Sequence, residues 1–209
     1  MKTIYYLLED DLYTEGRWYL NRLCDRSGTQ LDSREFQYGQ LVDLGPPMPA
    51  KTWKEGDPVD ALPPLKVLLD LKRNGAPLDF TFTNADLPVV TAKVANMLAA
   101  IAPRDIQRIP VLVESREEEY EIINVIRLID CIDVNQSEIQ WYAPGNPIRP
   151  DFAGTPEMIM KLVIDPARAG GHHIFRINNW KGAIVVSDVI KDAFERSQVS
   201  GVRFRQISS

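Results

Sequence analysis

The side chains best suited by type to do chemistry are two carboxylates and two imidazoles. Asp130 and Asp133 close the run YEIINVIRLIDCID, and His172 and His173 stand side by side as the only histidines in the chain. Paired carboxylates can divide acid and base work between them. A spacing of three, however, sets Asp130 and Asp133 on opposite faces of an extended strand, because successive side chains alternate; turn and end-capping roles suit them better. Two adjacent histidines supply too few ligands for a metal, which usually takes three or four, so no metal site is assigned. The two cysteines, Cys24 and Cys131, lie far apart and in no metal-ligand spacing. GxSxG, GxxxxGKS/T, HExxH and CxxC patterns are all absent. No catalytic residue and no cofactor is assigned. The enzyme alternative is a hydrolase or transferase of unfamiliar type, and it requires Asp130, Asp133 and His172 or His173 to meet in one pocket.

Recognition is the other chemistry on offer. The run ESREEEYE (114–121) holds five glutamates and one arginine; it reads as a solvated turn or as an acidic contact surface. WYAPGNPIRPDF (141–152) is a proline-rich loop with three aromatics and Arg149. Trp, Tyr and Arg carry much interface energy, although aromatics in a loop also cover cores. Lys plus Arg is 24 and Asp plus Glu is 29, so 24 − 29 gives a net charge of −5. Nucleic-acid binding needs clustered cations, so that class is disfavoured, while a basic protein partner is favoured. Free cysteines and the lack of an apolar leader point to a reducing cytoplasm. No apolar run is long enough to cross a bilayer.

The elements that position these groups are clearest near the C-terminus. Ile174–Ile177 and Ala183–Val186 read as strands around an Asn178-Asn179 turn, and Ser187 has the chemistry of a helix N-cap. Apolar spacing then changes from about two to about 3.6, placing Val189, Ile190, Ala193 and Phe194 on one helix face, until Gly201 permits a turn into another strand. A similar order occurs earlier: the strand DFTFT (79–83), Val89-Val90, Thr91, and a helix face of Val94, Met97, Leu98 and Ile101, stopped by Pro103 before Ile109–Val113. Val89-Val90-Thr91 lies over Val185-Val186-Ser187, and Val94 over Ile190; whether this is a true repeat is left open.

At the N-terminus, Ile4–Leu8 reads as a strand stopped by Glu9-Asp10-Asp11, and Arg17–Leu20 as a second. Gly45–Pro64 is rich in proline and reads as an irregular junction. Alternating leucines in Leu65–Leu71, followed by Asn74-Gly75 and Leu78–Thr83, predict a hairpin, though Leu65, Leu68 and Leu69 would also suit a helix. Tyr120–Asp133 predicts one long buried strand, and Ile159–Asp165 another. The fold class is α+β: mostly antiparallel or mixed sheet, a β-rich N-terminal part (1–62), and a C-terminal domain (63–209) with two main helices starting near Thr91 and Ser187.

In order and spacing, several of these features resemble the immunity proteins of bacterial polymorphic toxin systems, a family long described as a domain of unknown function. They are Asp79-Phe80, Val89-Val90-Thr91 opening a helix, the Tyr120–Asp133 run with Asn124, and the ending VVSDVIKDAFERSQVSGVRF, with Tyr5-Tyr6-Leu7 and Gly16-Arg17-Trp18 as a lead-in. The resemblance implies a non-catalytic protein that binds and neutralises a cognate toxin, often a nuclease, from an adjacent gene. Glu117, Glu118, Glu119, Trp141, Tyr142 and Arg149 are the expected contacts. A self-associating structural protein with an exposed sheet edge is the third reading; oligomeric state is left open.

Overall fold

The computed structural model describes residues 3–24, 30–32, 36, 39, 41–42, 67–83, 86–147 and 150–207. The expected junction at 45–64 and the boundary at 62/63 lie outside these residues. Within them the chain is mostly β, with a few helices. A five-stranded sheet contains β1 (Tyr5–Asp10), β8 (Leu128–Ile129), β11 (Ile174–Ile177), β12 (Trp180–Ser187) and β13 (Val202–Gln206), in the order β13-β1-β12-β11-β8. A six-stranded sheet contains β2 (Tyr19–Cys24), β3 (Leu68–Arg73), β4 (Phe80–Phe82), β5 (Pro88–Thr91), β6 (Ile106–Val113) and β7 (Tyr120–Val125), in the order β2-β3-β6-β7-β5-β4. β9 (Glu138–Trp141) and β10 (Pro156–Lys161) form a separate antiparallel ribbon. Pairing between strands is antiparallel except for β3 with β6 and β8 with β11.

The two similar stretches of sequence fold alike. The hairpin β4–β5 leads into helix α1 (Ala92–Ile101) and then β6; the hairpin β11–β12 leads into helix α3 (Asp188–Arg196) and then β13, with the short α2 (Pro166–Ala169) standing before that second unit. The correspondence extends to register. Val89, Val90 and Thr91 face Ile122, Glu121 and Tyr120 of β7, as Val185, Val186 and Ser187 face Leu7, Tyr6 and Tyr5 of β1. The first amide of each helix donates to the residue just before the strand that fills the middle of its unit: Ala92 N to Glu119 O, and Asp188 N to Ile4 O. β7 follows its own unit in sequence, whereas β1 comes from the other end of the chain.

Between the two helices lies the central core. Val94, Ala95 and Leu98 of α1 meet Ile190 and Phe194 of α3, with Phe80, Val90, Ile123, Ile174 and Val186 contributed by the sheets. Ile190 and Phe194 sit four residues apart and so share one helix face, and burying a side chain such as Phe194 stabilises by about 1.5–3 kcal/mol. A second core around Trp18, Leu69 and Ile122 and a third around Tyr5, Phe175 and Val185 cover the other sheet faces. Arg17 ties the pieces together while only 2% exposed. All its donors are satisfied: two by the Asp10 carboxylate at 2.9 Å, the others by Thr81 Oγ1 and the carbonyls of Asp11 and Trp18.

Several expectations need correction. Asn74-Gly75 makes no hairpin, because β3 pairs with β2 and β6 while β4 pairs with β5. A side chain at Gly75 would run into the backbone of Gly16 and Arg17, so the glycine marks a crossing of chains. Tyr120–Asp133 is two strands rather than one, passing from the six-stranded sheet into the five-stranded sheet after Val125. β1 continues through Glu9 and Asp10, since both pair with β13. β10 ends at Lys161, short of Asp165, with Ile164 bridging Ile132. Val189 is 43% exposed instead of facing the core. Ser187 and Thr91 occupy the N-cap positions, but neither side chain makes a cap bond; Ser187 Oγ lies 2.9 Å from His173 Nδ1 instead.

Candidate interaction surface

Asp130 and His172 are held apart. Asp130 follows β8, which ends level with Ile177 at the close of β11. His172 precedes β11, so the four residues of that strand, roughly 13 Å, intervene. Asp133 caps its own turn, accepting from the amides of Asn135 and Gln136 and from Gln136 Nε2 at 2.6 Å. That side-chain bond, above all, holds its carboxyl below the ordinary value. His172 Nδ1 lies 2.9 Å from Asp105 Oδ2, whose other oxygen accepts from Arg127 Nε at 2.8 Å. His173 is paired with Ser187, so the two histidines serve different neighbours. Among the described residues, no three of His, Cys, Asp and Glu are grouped to hold a metal, and no helix is long and apolar enough to cross a membrane.

A cleft of about 360 Å³ opens where β1 and β12 part, lined by Leu8, Glu9, Tyr13, Phe82, Asp86 and Arg203 among others, and by none of the acid–base candidates. Pairing of β1 with β12 stops at Leu7 and Val185. Beneath it, Arg176 is completely buried and donates to Lys181 O at 2.6 Å and to Asp86 O. Burial pulls its guanidinium down to about 10. Its bonds hold the β12 bulge and the β4–β5 turn, which is a structural role.

The acidic run lies in the β6–β7 connection. Glu117, Glu118 and Glu119 are exposed and, among the described residues, form no ion pair. The turn beneath them is fixed: Arg116 Nη2 donates to Asn74 Oδ1 and Gly75 O, and its guanidinium sits 5.4 Å from the Trp18 ring centre. Tyr120 packs beside Trp18, and burial, with the Glu118 charge second, pushes its phenol up to about 12. Glu114 and Glu121, by contrast, are engaged, by Leu71 N and Arg108 respectively.

Trp141 is the last residue of β9, and Tyr142 begins the connection to β10. Trp141 is 44% exposed, and Tyr142 is half-buried with its ring edge-on to Phe152 at 5.5 Å. Arg149 lies outside the described residues. The acidic turn and the Trp141 ribbon thus belong to different sheets. Ribbon register places Ile139 opposite Ile159, facing the third core, and Gln140 opposite Met158 on the other face. Met158 and Met160 are 54% and 63% exposed. In the sequence their only signal is a pair of methionines two residues apart within a strand.

The model of the immunity protein family Imm11 matches residues 29–209, most of the chain. The chain belongs to this family. No curated protein matches it. Membership of an immunity family implies a toxin partner in general terms and agrees with the resemblance read from Asp79-Phe80, Thr91 and the C-terminal unit. Those residues build the two corresponding units around the central core. The exposed turn at 117–119 and the ribbon are carried on that scaffold.

Proposed function

We propose that this chain is a non-catalytic immunity protein that neutralises a cognate bacterial toxin by direct protein–protein contact, in the cytoplasm of the cell that makes both. Family membership over residues 29–209 carries the reading. The separation of Asp130 from His172 supports it over the enzyme alternative. The toxin is the product of an adjacent gene. A nuclease suits the acidic chain, because enzymes acting on phosphate backbones carry clustered cations.

Glu117, Glu118 and Glu119 steer the encounter, since complementary charge raises association rates. Trp141, Tyr142 and Arg149 supply contacts that slow release. The test is the affinity for the adjacent gene's product of two variants. Reversing the three glutamates to lysine slows association and weakens its dependence on salt, whereas Trp141→Ala speeds dissociation. Unchanged rate constants for both variants would remove this contact assignment.

A further inference from the structure

We infer that the outer face of the β9–β10 ribbon, centred on Met158 and Met160, is a docking surface for a basic protein partner. This rests on the toxin-binding reading and identifies where the partner sits. Opposed residues in a ribbon share a face. Ile139 and Ile159 are therefore spent on the core side, and Gln140 and Met158 point away from it, with Glu138 and Lys161 at the next opposed position. Register shifts on either side of Met158-Ile159 leave Glu157 and Met160 as extra residues; both are exposed. Such shifts re-aim side chains, and here two large apolar groups lie open with 54% and 63% exposure. A two-stranded ribbon has little stability of its own, so exposed methionines on the face that does not anchor it are not explained by folding. Methionine is flexible and polarisable and shapes itself to a partner's surface.

Charge decides what kind of partner fits. On or beside this face Glu138 and Glu157 stand against Lys161, a local balance of −1 on a chain of −5. Gln140 Nε2 holds Glu157 at 2.8 Å beside the methionines. A second copy of this acidic chain would set Glu138 and Glu157 against like charges, whereas a basic surface would complement them.

The test uses the purified product of the adjacent gene as the probe, with dissociation constants for wild type, Met158→Asp/Met160→Asp, Met158→Leu/Met160→Leu, and Val189→Asp as an exposed control elsewhere. The aspartate pair weakens binding at least about thirtyfold; the leucine pair and the control stay within about threefold. Wild type is also oxidised with peroxide, free and in complex: Met158 and Met160 react in the free protein and are protected in the complex. That readout needs no variant and stands even if the aspartate pair misfolds. Binding by wild type with an unaffected aspartate pair, or with unprotected methionines, overturns the ribbon and leaves the toxin reading intact. Failure of wild type to bind removes both. Concentration-dependent self-association that the aspartate pair abolishes would assign the face to a second copy and overturn the basic-partner inference.

Discussion

Arg17 joins the end of β1, the start of β2 and β4, and replacing it tests whether that junction holds the two sheets together. Arg17→Met keeps much of the side-chain volume and removes the charge. It leaves Asp10, whose side chain is 15% exposed, without the two hydrogen bonds at 2.9 Å that offset part of its burial, which even with them holds its carboxyl above the ordinary value. It also strips Thr81 Oγ1 and the carbonyls of Trp18 and Asp11 of a donor. Removing one partner of a buried, fully bonded pair costs about 3–5 kcal/mol, because the remaining charge is stranded. For a chain of this length each kcal/mol is worth about 2–4 °C in melting temperature, which gives a fall of roughly 6–20 °C. Urea denaturation followed by fluorescence reads the same loss as a lower midpoint. The double variant Arg17→Met/Asp10→Leu removes the stranded carboxylate and recovers a large part of that loss. If Arg17→Met stayed within about 1 kcal/mol of wild type, the pair would be behaving as a surface ion pair, and burial would not be setting its worth.

Other expectations follow from single sites. Gly201 has a φ of +86°, and a Cβ there would strike Phe80 O, so Gly201→Ala destabilises by about 2 kcal/mol or more; a midpoint equal to wild type would mean the turn is more pliant than it looks. Cys131 is fully buried, and burial raises its thiol from 9.0 to about 12, so it resists thiol-directed reagents in the native protein and reacts on unfolding. Because the unfolded thiol ionises first, the unfolded state binds fewer protons between 9.0 and about 12, and stability falls as pH rises through that window. Tyr120, raised from 10.0 to about 12, acts in the same direction; a flat alkaline stability profile in wild type would contradict both. Ser187→Ala costs about 1 kcal/mol through its lost bond with His173, and the loss disappears in a His173→Ala background, which a capping role would not predict.

The parts of the fold that the sequence made legible are those in which local signals agree. At Val185-Val186-Ser187 the apolar period changes from strand to helix at one residue, and α3 begins there, at Asp188. What it hid is non-local. β1 pairs with β12 and β13 at the opposite end of the chain, which composition does not encode. Asn74-Gly75 carries a hairpin signal, yet the partners of β3 lie elsewhere, so tertiary pairing overrides the turn preference. Ile122, Val125 and Ile129 are similarly apolar although β7 and β8 belong to different sheets, so the strand change leaves no mark on the pattern. Of the candidate surface, the acidic turn was legible because clustered glutamates stay solvated. Met158 and Met160 were not, because their exposure depends on register shifts that only the paired ribbon displays.

The most direct test of the central claim is survival of cells expressing the adjacent gene's product with and without this chain, alongside recovery of the two proteins as a stable complex. The toxin-binding account predicts killing by that product alone, rescue by wild type, and co-purification of the pair. Killing that persists despite folded, abundant chain, with no complex recovered, would contradict it.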